Sequence, residues 1–146
     1  MPPSDEDTKK FEAKRKKERE LFAECPLIFS DQKTTKYGIQ FGFECAMGWF
    51  DHIRAACLKI EDIVSKMPEE ERGAYRVLQI KEKFGGLRLY MSAMTPEIGA
   101  IIAEAEAACS TTCEICGGYG RSGTTGYWVR TLCHPCHEKE LERIKK

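Results

Sequence analysis

The chain has 146 residues, with 23 basic and 23 acidic side chains and no formal net charge. That length holds one ordinary domain, or a modest core with a small metal module attached. Neutrality excludes a whole-chain basic field for nucleic acid, so any such binding needs a local patch.

Residues 1–20 carry seven Lys or Arg and six Asp or Glu, with Phe11 the only large apolar residue after Met1. Oppositely charged residues recur at helical spacing, as in Glu12/Lys16, which reads as a solvated, fraying helical arm. A solubilising role is the plain reading and a partner-binding arm the alternative. Met1 to Asp7 contains no apolar signal-peptide core, and no run approaches the roughly 18 apolar residues of a membrane span. A cytoplasmic location is therefore expected.

Residues 21–110 read as an α+β core. Leu21 to Ser30 is largely apolar and reads as an extended segment entering it. Thr34 to Gln40 reads as a short loop and strand. Phe41 to Phe50, dense in aromatic and small residues, reads as a strand running into a helix start. Phe50, Ile53, Cys57, Ile60, Val64 and Met67 then recur at 3-4-3-4-3 spacing, one apolar helical stripe, and Pro68 ends it. Glu69 to Gly73 is a charged loop. His52 lies off the stripe and has no second ligand at a metal spacing, so a surface or hydrogen-bonded histidine is expected.

Tyr75 to Ala93 reads as a β-hairpin turning at Gly85-Gly86. In that register Phe84 faces Leu87, Lys83 faces Arg88 and Glu82 faces Leu89. One face then carries Leu78, Ile80, Phe84, Leu87, Leu89 and Met91, with Glu82 as a misfit. The other carries Gln79, Lys81, Lys83, Arg88 and Tyr90, a compact basic surface. Thr95 and Pro96 open a second helix, Pro96 to Cys109, as N-cap and first-turn residue. Its apolar side is Ile98, Ile101, Ile102, Ala105 and Cys109.

Residues 111–146 form a separate pattern. Cys113-x-x-Cys116 and Cys133-x-x-Cys136 are separated by sixteen residues. Two such pairs at this distance are a strong signal for Zn²⁺ held by four thiolates in a closed tetrahedron. Four thiolates and one Zn²⁺ sum to −2, so hydrogen bonds from small residues such as Gly117, Gly118 and Gly120 would stabilise the centre. Tyr127 to Leu132 reads as a strand returning to the metal. Cys133 and Cys136 open a helical tail, where the helix dipole favours thiolate. Knuckle, hairpin and ligand-bearing helix together resemble a treble-clef zinc finger. The remaining cysteines, Cys25, Cys45, Cys57 and Cys109, stand among apolar or helical residues, as reduced buried thiols do.

No catalytic constellation is present. The chain lacks a P-loop, a nucleophile elbow, His-Glu-x-x-His and the zinc-deaminase pattern. Four cysteines leave a zinc ion no open position for catalysis. A treble-clef nuclease built on His52, His134 or His137 is the enzymatic alternative. Two binding readings lead. In one, Lys81, Lys83, Arg88 and Tyr90 on the hairpin, with Arg121, Tyr127, Trp128 and Arg130 in the zinc loop, contact nucleic acid. In the other, the same surface grips a protein. The plain alternative has the aromatics covering the metal core and the charges merely solvated.

Phe41-Gly-Phe-Glu-Cys45, Gly48-Trp49-Phe50, the block Lys81 to Arg88, Thr112 to Gly117 and Thr131-Leu132-Cys133 together resemble a family of small phage and prophage proteins, over about residues 27–137. The family pattern has Gly-Asp where this chain has Ala46-Met47. The resemblance implies an accessory protein of a mobile element, acting in the cytoplasm of a bacterial host on host machinery or a host defence protein. It implies no catalytic residue.

Overall fold

The structure, a computed structural model, describes residues 2–33 and 38–145. Its elements are α1 (Asp5–Glu24), α2 (Phe50–Ser65), the single turn α3 (Glu69–Arg72), β1 (Val77–Lys83), β2 (Gly86–Met91), α4 (Pro96–Cys109), β3 (Arg121–Thr125), β4 (Trp128–Leu132) and α5 (His134–Lys145). The two strand pairs form separate two-stranded antiparallel sheets. The fold is thus α+β, with a hairpin on two helices and a C-terminal module around four cysteines.

The apolar stripes decide the core. Phe50, Ile53, Cys57, Ile60 and Val64 of α2 are all buried, with Met67 packed at the margin. Ile98, Ile102, Ala105 and Cys109 of α4 are buried with them. The Thr95 hydroxyl accepts the Ile98 N–H at 3.1 Å, the N-cap its position demands. The charged stretch after Pro68 folds into α3 rather than remaining a loop.

The hairpin forms, but in a different register from the one Gly85-Gly86 implies. Positive φ falls on Phe84 (52°) and Gly85 (81°), the pair of left-handed conformations that a type I′ turn requires. Lys83 therefore opposes Gly86, Glu82 opposes Leu87, and Lys81 opposes Arg88. The pairing has moved by two residues, and since side chains alternate with period two, face membership survives. Phe84 changes character: it leaves the apolar face for the turn, 74% exposed. An irregularity between Val77 and Gln79 also buries Val77 in place of Leu78, which is only half-buried. Glu82, the misfit on the apolar face, explains the shift. Its carboxylate accepts the Gly85 N–H at 2.7 Å and closes the turn.

The segment from Leu21 to Trp49 departs most from expectation. Leu21–Glu24 completes α1, and turns replace the extended run that follows. The expected loop at 34–37 lies outside the described residues, and Gly38–Phe41 forms a 3₁₀ turn rather than a strand. A single parallel bridge, Glu44 to Lys81, stands where a strand was expected. A further 3₁₀ turn, Met47–Trp49, leads into α2.

The N-terminal helix is exposed over its first turns, as an arm would be, and joins the core only through its last two turns, from Glu18 onward. It starts at a Ser4 cap on the Asp7 N–H, and it runs past the expected boundary at residue 20. Leu21 is fully buried, and so is Glu18. The Glu18 carboxylate accepts the Phe43 N–H at 2.5 Å and the Arg15 guanidinium at 3.0 Å. Lys14 donates to the Phe43 carbonyl at 2.5 Å. One turn of α1 therefore takes up both backbone polar groups of Phe43, as a neighbouring strand would. Gly42, at φ 83°, makes this possible, because a Cβ there would collide with Arg15 and the Glu18 carboxylate. Replacing Glu18 by Ala should cost about 3 kcal/mol, since it strands a buried donor and breaks a buried ion pair. Glu12→Ala, on the exposed side of the same helix, should cost no more than about 0.5 kcal/mol. Equal effects of the two changes on the urea midpoint would refute the docking of α1.

Candidate metal centre

The sulfurs of Cys113, Cys116, Cys133 and Cys136 all lie within 4.8 Å of one another. Cys116 and Cys133 are 3.6 Å apart. A tetrahedral ion with metal–sulfur bonds of about 2.3 Å separates its ligands by roughly 3.8 Å. Chain segments far apart in sequence thus converge on the geometry of one four-coordinate ion.

Local structure explains each ligand's position. The Cys113 carbonyl accepts the Gly117 N–H at 3.0 Å, and the Cys113 N–H donates to Gly118 at 2.7 Å. This tight knuckle needs the left-handed Gly117, at φ 83°. A bridge between Thr112 and Tyr119 closes it. The β3–β4 hairpin, paired from Arg121/Leu132 to Thr125/Trp128, returns the chain to Cys133. Cys136 lies in the first turn of α5. The order is knuckle, hairpin, helix, as in a treble clef.

Burial alone raises the Cys113 thiol, but the backbone N–H groups of Cys116, Cys133 and Ile115 outweigh it and bring the value down to about 7. Cys136 is pushed up by burial and by the neighbouring thiols of Cys133 and Cys113. Four thiols crowded together resist ionising jointly, and a bound cation reverses that preference. Cys113 and Cys136 are buried and Cys116 is exposed, so the cluster has one open edge.

The module is locked to the core by Glu114, the residue between the first two cysteines. Its carbonyl accepts the Gly48 N–H at 2.6 Å, and its N–H donates to Thr131 at 3.0 Å. Its carboxylate accepts the Ala46 N–H at 2.9 Å and meets Arg130 at 3.3 Å. Gly48 is required here, because a Cβ would strike the carbonyls of Cys113 and Glu114. The Trp49 indole donates to Thr112 at 2.8 Å, and His52 contacts the Thr112 hydroxyl at 3.0 Å. His52 is therefore a hydrogen-bonded histidine.

Eight residues were expected to form one contact surface, and the structure divides them. Arg130 must be corrected: it is buried, bridges Glu114 and Glu140, and stacks 4.5 Å from the Trp128 ring centroid. Its charge is consumed internally. Trp128 is half-exposed, and its indole donates to Glu82 at 3.0 Å. With Thr131 donating to the Gly85 carbonyl at 2.7 Å, this seats the hairpin tip on β4. Tyr127 is fully exposed, and Arg121 lies on the surface. Lys81, Arg88 and Tyr90 occupy the other face of the β1–β2 hairpin, where Arg88 lies 4.0 Å from Glu106. Lys83 is exposed beside the Phe84 ring. The sequence gives no sign of the roles of Glu18 and Glu114, because a single glutamate in a polar stretch does not separate a buried acceptor from a solvated charge, whereas Glu82 stood out as a misfit on an apolar face.

Cys25, Cys45, Cys57 and Cys109 are buried free thiols. Burial raises Cys25, Cys45 and Cys109 to about 12, with Glu61, Glu114 and Glu106 respectively adding to it. Cys57, wholly enclosed, is likewise raised, by burial first. No protein-family model, curated protein or solved structure matches the chain. No helix among the described residues is long and apolar enough to cross a membrane.

These two thiol populations should be separable by reactivity. An unfolded cysteine ionises near pH 8.5, so the fold favours the neutral form of the four core thiols. That contribution is intact below about pH 8.5 and is lost as pH rises toward 12. Iodoacetamide at pH 8, after chelation, should modify the four clustered cysteines and spare the core four until denaturant is added. Mass-spectrometric detection of core modification in the folded protein would contradict the burial.

Proposed function

We propose that the chain is a non-enzymatic binding protein whose four-cysteine cluster holds a structural Zn²⁺. The observation that carries this is the closed set of four thiolates, fixed to the core through the Glu114 backbone and carboxylate. Tetrahedral sulfur ligation suits zinc. Four protein ligands leave no coordination position for a substrate, so the ion shapes the module rather than reacting. A protein partner fits the remaining surface better than nucleic acid does. Arg130 is internal, Arg88 faces Glu106, and the exposed residues near the hairpin tip are largely aromatic. Tyr and Trp supply much of the energy at protein interfaces. The resemblance to phage and prophage proteins supports a mobile-element accessory role, in which the partner is a host or defence protein in the bacterial cytoplasm.

Elemental analysis of the purified protein should find about one zinc per chain. Cys113→Ser should lose the metal and unfold the C-terminal module, because the ion contributes folding free energy directly. A metal-free protein with native circular dichroism would rule out the structural role. Capture from host extract should yield a protein partner that survives nuclease treatment. Changing Lys81, Lys83 and Arg88 together to Glu should weaken that capture without altering the fold. Nuclease-sensitive, steeply salt-dependent capture would instead establish the nucleic-acid reading.

A further inference from the structure

A second surface lies away from the hairpin, where α1 crosses the metal knuckle. A groove of about 470 Å³ runs between them, floored by Phe11, Met47 and Ile115 and edged by Lys10, Lys14 and Lys17. Phe11 is 63% exposed and Ile115 37% exposed, so the floor is open to solvent. A second cleft continues it past Lys17, Met47 and Ile115 toward the start of α2 and Gly117.

Three features distinguish this groove from an ordinary solvated helix face. First, Glu18 and Lys14 anchor α1 to Phe43, and the exposed Phe11 ring stands one turn before Lys14. Second, the walls come from two units, α1 and the knuckle, and Glu114 locks the knuckle in place beside Ile115. Third, three ammonium groups line the groove and no carboxylate does. Two of the three also hold internal contacts, Lys10 with Glu6 in an exposed pair and Lys14 with Glu18 and the Phe43 carbonyl, which leaves Lys17, 5.3 Å from the Phe50 ring centroid, the most available cation. Glu6 pairs with Lys10 at 3.1 Å, and Glu18 is sealed beneath the helix. Asp51 appears only in the adjoining cleft. The chain as a whole is neutral, so this excess is local.

We infer that this groove docks an acidic, amphipathic segment of a partner protein. An apolar floor accepts side chains repeating along one face of a helix, and the lysine edge pairs with carboxylates flanking that face. Lys10 to Lys17 spans about 10 Å at a helical rise of 1.5 Å per residue, two turns of a bound helix. The phosphates of a nucleic acid would use the lysines but leave Phe11, Met47 and Ile115 unmatched. The exposed Cys116 borders the far end.

The inference is independent of the hairpin surface proposed above, and its test separates the two. The full metal-loaded protein is used to select binders from a random peptide library. Enriched peptides should combine apolar residues at helical spacing with Asp or Glu. Phe11→Ala with Lys10→Glu and Lys17→Glu should weaken the best of them by at least about tenfold, with circular dichroism unchanged. Lys81→Glu with Lys83→Glu should leave them unaffected. Peptides without acidic bias, peptides displaced only by the hairpin changes, or no enrichment would each overturn the proposal. So would a dimer in sedimentation that Phe11→Ala dissociates, since the occupant would then be a second copy of the chain.

Discussion

The constraint on which this structure turns is the satisfaction of backbone donors in the irregular segment from Cys25 to Trp49. Among its described residues that stretch is mostly turns, so regular ladders take up few of its buried N–H groups, that of Glu44 on the Ile80 carbonyl being an exception. Glutamates from surrounding elements do it instead. Glu61 of α2 accepts the N–H groups of Leu27 and Ile28. Glu18 of α1 accepts Phe43, and Glu114 of the knuckle accepts Ala46. Each carboxylate ties a different element to the same irregular strap. The helices, the hairpin and the metal module thus become one body.

Glu114 makes the metal centre part of that body. It stands between Cys113 and Cys116, within the knuckle, and its carboxylate's partners are in the core and on β4. Arg130 balances the charge of Glu114 and Glu140 and presses on Trp128, which in turn reaches Glu82 at the hairpin tip. A buried pair of this kind adds little net stability over an apolar contact, but breaking it is expensive. Its contribution is geometric: it fixes the orientation of module against hairpin.

Much of the architecture was legible in the sequence. The stripe of α2, the cap and stripe of α4, most of the two face sets of the hairpin and the clustering of four cysteines all follow from periodicity or spacing. The hairpin turn was misplaced because Gly85-Gly86 is the stronger local signal. The turn moved to Phe84-Gly85 through one local contact, Glu82 on the Gly85 N–H, and one distant contact, Thr131 on its carbonyl. The N-terminal helix read as a solvated arm because its charges alternate in sign. The one glutamate that enters the core looks like its neighbours.

The sequence by itself determined which residues are apolar at helical or strand spacing, and which thiols have the spacing of a metal site. These are local patterns whose physical meaning survives without neighbours. Tertiary structure alone decided the fate of the polar residues. Whether a glutamate is solvated or buried, and whether an arginine faces a partner or a core carboxylate, depends on which distant donors and acceptors lie opposite. Arg130 and Glu18 therefore became interior residues, while Phe84 and Phe11, apolar by type, ended on the surface.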